Sequence, residues 1–228
     1  MSATPGALCR AALDALYPQG NLCHLCGCPA LHEDEPVLCC GCAKELSESF
    51  LGEGASCAAQ TDALAGMSAA YAYGGSAARL VRALKYRSDA FAALPLGWGM
   101  ARAYALADDA MRRTDVLVPV PAHPSRLRVR GYNQAELLAR ALAGTLPLPM
   151  EAEALVRVKR SRSQIGLSRE QRLANLRGSF ALCSDALRGS RVLLIDDVRT
   201  TGATAQACAE ALLMGGAKSV CLLTACRA

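Results

Sequence analysis

The run Val192-Leu193-Leu194-Ile195-Asp196-Asp197-Val198-Arg199-Thr200-Thr201-Gly202-Ala203-Thr204 constrains the fold more than any other part of the chain. Four consecutive apolar residues without alternation read as a strand buried on both faces, as in a parallel sheet covered by helices on each side. Ala205 to Met214 has helical composition and stops at Gly215-Gly216, a C-terminal glycine cap. A strand, a tight turn and a helix N-terminus make an anion site, because free backbone N–H groups and the positive end of the helix dipole point into the turn. Thr200, Thr201 and Thr204 add hydroxyl donors, and Gly202 permits a positive φ or a close backbone approach. Asp196 and Asp197 would repel a phosphate beside them but suit sugar hydroxyls or a divalent cation. The combination asks for a ligand with a phosphate at one end and a diol, held with magnesium, at the other. The plain alternative is a strand ending in solvated acids before an ordinary helix, which does not require two acids, three threonines and a glycine at these offsets.

The charge distribution agrees. The chain has 228 residues, 52% hydrophobic and 20% charged, enough for one well-buried domain with a small appendage and too apolar for disorder. Its net charge is only +5, yet residues 79–89, 123–140 and 156–177 together hold +12, leaving −7 elsewhere. Such a split points to an anionic ligand, although a solvated helix face explains any one window. The best apolar run, Ala90 to Ala107, is interrupted by Pro95 and Arg102, so no integral membrane segment is expected. Without a basic region followed by an apolar core near Met1, the expected location is cytoplasmic, with peripheral association at the inner face of the membrane left open.

In that compartment twelve cysteines are not expected to be structural disulfides. Six lie between Cys23 and Cys42. Cys23-His24-Leu25-Cys26-Gly27 and Cys39-Cys40-Gly41-Cys42 are two C-x-x-C knuckles, the spacing that lets four thiolates close a tetrahedral structural zinc site. Cys28, Cys40, His24 and His32 could substitute in the ligand set, and a redox pair or buried free thiols remain alternatives. Glycine after the second cysteine favours Cys23, Cys26, Cys39 and Cys42. Before them, Ala7 to Tyr17 reads as a short apolar helix halted at Pro18, and Cys183, Cys208, Cys221 and Cys226 read as small core hydrophobes.

Elsewhere, a strand over Ala69–Tyr73, a basic amphipathic helix ending near Tyr86, and helix over Phe91–Arg113, broken near Pro95-Leu96-Gly97, are expected. Then come a strand Val116–Val120, a basic loop His123–Gly131, a helix opened by Tyr132-Asn133-Gln134, and strands near Ala154–Val158, Ser179–Leu182 and Ser219–Ala225. Strands alternating with helices predict an α/β domain with a mainly parallel sheet flanked by helices, whose ligands bind at the carboxyl ends of the strands. A boundary between Leu51 and Gly66 divides the chain into residues 1–62, a helix with a zinc-knuckle lobe, and residues 63–228, the α/β domain. There is no Walker-type loop and no G-x-G-x-x-G.

The Asp-Asp/Thr-Thr-Gly-x-Thr run closely resembles the phosphoribosyl-pyrophosphate loop of type I phosphoribosyltransferases. With Arg130-Gly131-Tyr132-Asn133-Gln134, then Gln164-Ile165-Gly166-Leu167-Ser168, Arg172, Asn175 and Phe180, and the helix and proline before a double knuckle, the chain is similar over nearly its whole length to the ComF family. Many members carry a second pair of knuckles; here only Cys57 remains in that region. The resemblance implies a type I phosphoribosyltransferase-like fold, with residues 63–110 supplying the hood that selects the acceptor. It implies that Asp196 and Asp197 hold ribose hydroxyls with Mg2+, and that Val198, Arg199, Thr200, Thr201, Gly202, Ala203 and Thr204 cradle the 5′-phosphate. Arg126, Arg128 and Arg130 fall at the pyrophosphate loop, Arg130 being counted with the two acids as catalytic. Lys159, Arg160, Arg162, Gln164, Arg169 and Arg172 fall in the flexible loop.

The function this implies is binding of phosphoribosyl pyrophosphate, or of a nucleotide containing ribose 5-phosphate, in nucleotide metabolism linked to natural competence and DNA uptake. The acceptor of a transferase reaction is not legible. Single-stranded DNA binding through the basic windows is the main alternative, with competence-machinery proteins as further partners, and a non-catalytic phosphoribosyl-pyrophosphate sensor is the third. Glutamine-dependent amidotransfer is not expected, because the chain begins Met1-Ser2 and lacks a glutaminase domain.

Overall fold

The computed structural model describes residues 22–28, 30, 38–52, 63–158, 178–183 and 185–228. The expected helix Ala7–Tyr17, Cys57, and the basic stretch with Lys159, Arg160, Arg162, Gln164, Arg169, Arg172 and Asn175 lie outside the described residues. Four strands, β1 (Gly66–Ala72), β2 (Val116–Pro119), β5 (Arg191–Arg199) and β6 (Ser219–Arg227), form one parallel sheet in the order β1-β6-β5-β2. The helices are α1 (Cys40–Glu48), α2 (Gly75–Tyr86), α3 (Ala93–Ala105), α4 (Asp109–Arg112), α5 (Pro124–Arg130), α6 (Gln134–Ala143) and α7 (Ala203–Met214).

The unalternated run in β5 has the cause expected of it. Leu193 and Ile195 pack with Leu84, Leu96, Met100 and Leu138 of α2, α3 and α6, while Val192 and Leu194 pack with Cys208 and Leu212 of α7. Both faces of the strand are therefore covered, and each fully buried aliphatic side chain contributes about 2 kcal/mol. α7 ends in a Schellman motif at the expected glycines: Gly216 has φ +94° and donates to the Leu213 carbonyl, and Ala217 donates to that of Leu212.

Three expectations are corrected. The helix after Phe91 is not broken at Pro95, because Pro95 falls in the first turn of α3, where a missing N–H costs nothing. The break comes later, between Ala105 and Asp109. The basic loop after β2 is mostly helix: Pro124 starts α5, and Gly131 ends it at φ +80°. Finally, β3 (Leu155–Arg157) and β4 (Phe180–Leu182) leave the main sheet and pair antiparallel with each other. Val158 donates to the Ser179 carbonyl at 2.8 Å, which extends the β3–β4 pairing by one bond.

Candidate functional site

Because all four strands run the same way, Tyr73, Pro121, Thr200 and Ala228 come together at their carboxyl ends, around a cleft of about 740 Å3. One floor of it is the turn after β5. Gly202 sits in the left-handed region at φ +74° as the N-cap of α7, and no side chain caps the helix. Its first-turn N–H groups are thus left to a ligand. Residues 198–205 wall a smaller nook with Asp196, Leu222 and Thr224, at the positive end of the helix dipole. The turn takes this form because only glycine adopts such a φ without strain.

The two acids are held differently. Strand alternation turns Asp196 toward α7, beside Cys208, and Asp197 toward α2. Lys85, at the end of α2, reaches Asp197 Oδ1 at 2.9 Å. The backbone N–H of Asp197 donates to Asp196 Oδ1 at 2.8 Å. Burial, and after it the neighbouring Asp197 charge, push the Asp196 carboxyl up to about 7. Both acids face the cleft.

Opposite them stands a cationic wall. Arg126 and Arg130, one helical turn apart on α5, line the cleft together with Arg157 of β3. Arg128, between them, projects from another face of α5 and does not line it. Burial, then the Arg126 charge, lower both Arg130 and Arg157 from the usual guanidinium value. Among the described residues Arg130 Nη1 is buried without a hydrogen-bond partner, an unmet donor facing a cleft built for anions. The Arg130 guanidinium also lies 5.7 Å from the Tyr86 ring centroid.

The rest of the Arg130–Gln134 motif is scaffolding for that wall. Tyr132 donates to the Leu84 carbonyl at 2.9 Å, tying α5 to α2. Asn133 caps α6 through the N–H of Ala135 and donates to the Val120 carbonyl. Gln134 is 5% exposed and faces the cleft. Sequence reasoning missed Lys85, Arg157 and Gln134 as cleft residues. Lys85 follows the apolar stripe Leu80, Val81 and Leu84 that packs α2 into the core, but that stripe does not say that the helix ends at the cleft.

The Cys23, Cys26, Cys39 and Cys42 sulfurs all lie within 4.8 Å of one another. The donor set, four convergent thiols on two knuckles, fits a structural zinc ion. Burial opposes ionisation of Cys23, but backbone N–H groups of Cys39, Leu25 and Cys26 bring its pKa down to about 6. Cys28 and Cys40 are exposed outside the cluster, and His24 instead bonds Asp89 at 2.9 Å. His32 lies outside the described residues. Arg126, Arg130, Asp196, Asp197 and the threonine loop are therefore brought together, and the cysteines form a separate cluster.

No family model matches the chain. The DNA utilization protein YhgH of Salmonella typhimurium is 29% identical over 222 residues, 96% of this chain and 90% of that protein. Competence protein F of Haemophilus influenzae is 38% identical over 96 residues, 41% of this chain and 42% of that protein. Competence protein ComFC of Bacillus subtilis is 35% identical over 113 residues, 49% and 44% of the two chains. Similar solved structures include a glutamine phosphoribosylpyrophosphate amidotransferase from B. subtilis, with TM-score 0.40 and 21% identity, covering 60% of this chain and 26% of that one. A purine phosphoribosyltransferase from Pyrococcus horikoshii has TM-score 0.36 and 16% identity, covering 64% and 85%. One relative over nearly its whole length, two over about half of it, and the motifs quoted above support the ComF family for this chain.

Proposed function

We propose that this ComF-family chain binds phosphoribosyl pyrophosphate with Mg2+ and acts as a phosphoribosyltransferase in the uptake or use of external DNA. The observation that carries the reading is a cleft and an adjoining nook, sharing Asp196, Val198, Thr200 and Thr204, that offer three chemically distinct parts. A helix N-terminus behind Gly202 suits a terminal phosphate, the Asp196–Asp197 pair suits a diol, and Arg126, Arg130 and Arg157 suit a diphosphate. In this order the parts match the three parts of the ligand. Asp196 and Asp197 are the residues that would hold magnesium, which would supply charge neutralisation when bound. The guanidinium groups stabilise charge developing on a departing pyrophosphate, and the buried Arg130 Nη1 has a hydrogen bond still to give. The names of the relatives supply the setting in competence and DNA utilization. No described helix is long and apolar enough to cross a membrane.

Calorimetry with phosphoribosyl pyrophosphate and Mg2+ is expected to show binding that Asp196→Asn combined with Asp197→Asn removes. Silence at millimolar ligand would overturn the reading. Pyrophosphate release, measured with and without candidate acceptors, separates an enzyme from a sensor.

A second reading, single-stranded DNA binding, is favoured by the rim. α5 has no buried residue, Arg128 is exposed on it, and Tyr86, beside Arg130, is 76% exposed. A base stacked on Tyr86 would contribute about 1–3 kcal/mol. Oligonucleotide anisotropy should then weaken steeply with salt and with Tyr86→Ala or Arg128→Ala. Binding insensitive to all three would count against DNA.

A further inference from the structure

Lys85 has a position that no motif of the sequence announces. It closes α2, 112 residues before the acid it touches, and its ammonium and the Asp197 carboxylate are 22% and 12% exposed. The contact is fixed from both sides. Leu80, Val81 and Leu84 anchor α2 in the core, and Tyr132 holds the Leu84 carbonyl next to Lys85. Asp197 is fixed by β5, whose neighbours Leu193 and Ile195 are fully buried. A lysine loses more rotamer entropy than most residues on being held, and a partly buried ammonium loses hydration. Ordinary surface lysines are not held this way, and other described ion pairs such as Lys44–Glu48 and Arg188–Asp185 are exposed.

The charges around the pair show what the contact does. Asp196 is faced by Asp197, Lys85 and Arg126, with the Cys208 thiol beneath it. Asp197 is faced by Lys85 and Arg130, with the Cys226 thiol nearby. Lys85 is the cation in direct contact with either carboxylate among the described ion pairs. Arg126 and Arg130 line the same cleft, where a diphosphate would engage them. Lys85 comes to it from α2, where the ring centroid of the next residue, Tyr86, lies 5.7 Å from the Arg130 guanidinium.

Resting on the reading of the cleft as a phosphoribosyl-pyrophosphate site, we propose that Lys85 is a positioning residue: its ammonium holds the Asp197 carboxylate in the orientation that accepts a ribose hydroxyl. The acid pair and Lys85 then work as one unit contributed by two distant segments. A Lys at the end of α2 is as much a part of the ribose site as the acids on β5.

The test compares the intact protein with Lys85→Met, which keeps the apolar stem, and Lys85→Arg, which restores a cation. Affinity for phosphoribosyl pyrophosphate with Mg2+ is measured at about pH 7.5, with folding followed by circular dichroism. Lys85→Met should weaken binding about tenfold, a loss of about 1.4 kcal/mol. Lys85→Arg should return the affinity towards wild type. Wild-type affinity in Lys85→Met overturns the proposal. A weakened Lys85→Met with no rescue by Arg overturns it too, since that pattern means α2 packing alone. No binding by the wild-type protein fails the ligand reading itself, before any variant is compared.

Discussion

Asp196 lies within β5, directly after residues that are fully buried, and its side chain is turned onto the α7 face beside Cys208. Burial and the Asp197 charge raise its folded-state pKa to about 7, above the ordinary carboxylate value it has unfolded. The folded chain therefore holds a proton that the unfolded chain releases, and this contribution to stability is complete at low pH and lost as pH rises through about 7. Asp196→Asn should then melt higher than wild type at pH 8, by about 5 °C, with the difference vanishing near pH 4. Thermal scans at the two pH values check this, and a gain independent of pH would refute it. The same variant is expected to lose the ligand, so stability and function oppose each other at this residue. The acids were legible in sequence because an apolar run leads into them and a turn rich in hydroxyls and glycine follows. Lys85 and Arg157 were not, because their places at the cleft depend on which helix packs beside β5 and on β3 leaving the sheet. No local spacing encodes either.

At the scale of elements, apolar periodicity and glycine placement carried the sequence reading, as in β5 and α7. It failed where backbone chemistry was position-dependent. Pro95 stops nothing in a first turn, and the basic run after β2 becomes α5 because Pro124 at its start and Gly131 at its end frame one short helix. Close approach between elements was also invisible. α3 packs against α6 and β1 through Gly97 and Gly99. A Cβ on Gly99 would lie 2.1 Å from Tyr71 Oη, and one on Gly97 would lie 2.5 Å from the Ala141 Cβ. Gly99→Ala is expected to cost about 1–3 kcal/mol by overpacking, read as a lower urea midpoint. Gly202→Ala differs in kind: its Cβ meets nothing within 4 Å, but φ is +74°. Strain of about 1–2 kcal/mol follows. Its clearer signature should be weaker binding of phosphoribosyl pyrophosphate, because the turn that shapes the phosphate nook must shift. If Gly202→Ala lost stability and kept full affinity, the nook would not be the phosphate site.

At the scale of the molecule, the cysteine cluster is joined to the sheet domain rather than appended to it. Leu38 and Leu46 are buried in the same cluster as Leu80, Leu96 and Met100. Glu45 on α1 accepts from Ser76 at 2.6 Å and pairs with Arg79, both on α2. Phe50 bridges to Tyr71 of β1 and lies under the Arg102 guanidinium at 4.3 Å. The knuckle spacing announced the four cysteines, but nothing in it announced this docking, which depends on scattered residues of α2, α3 and β1. If a zinc ion holds the knuckles, its removal should therefore be felt throughout the fold. Metal analysis is expected to find one zinc per chain, lost in Cys26→Ser combined with Cys39→Ser. Those two cysteines are the less buried pair of the cluster, so the double variant removes ligands with little loss of packing. Because the apolar contacts cross the boundary, the variant should unfold in one transition at lower temperature. An unchanged main transition with a separate early one would instead mean an independent lobe. A lowered single transition should also weaken ligand binding, since α2 carries contacts to the knuckles near its start and Lys85 at its end.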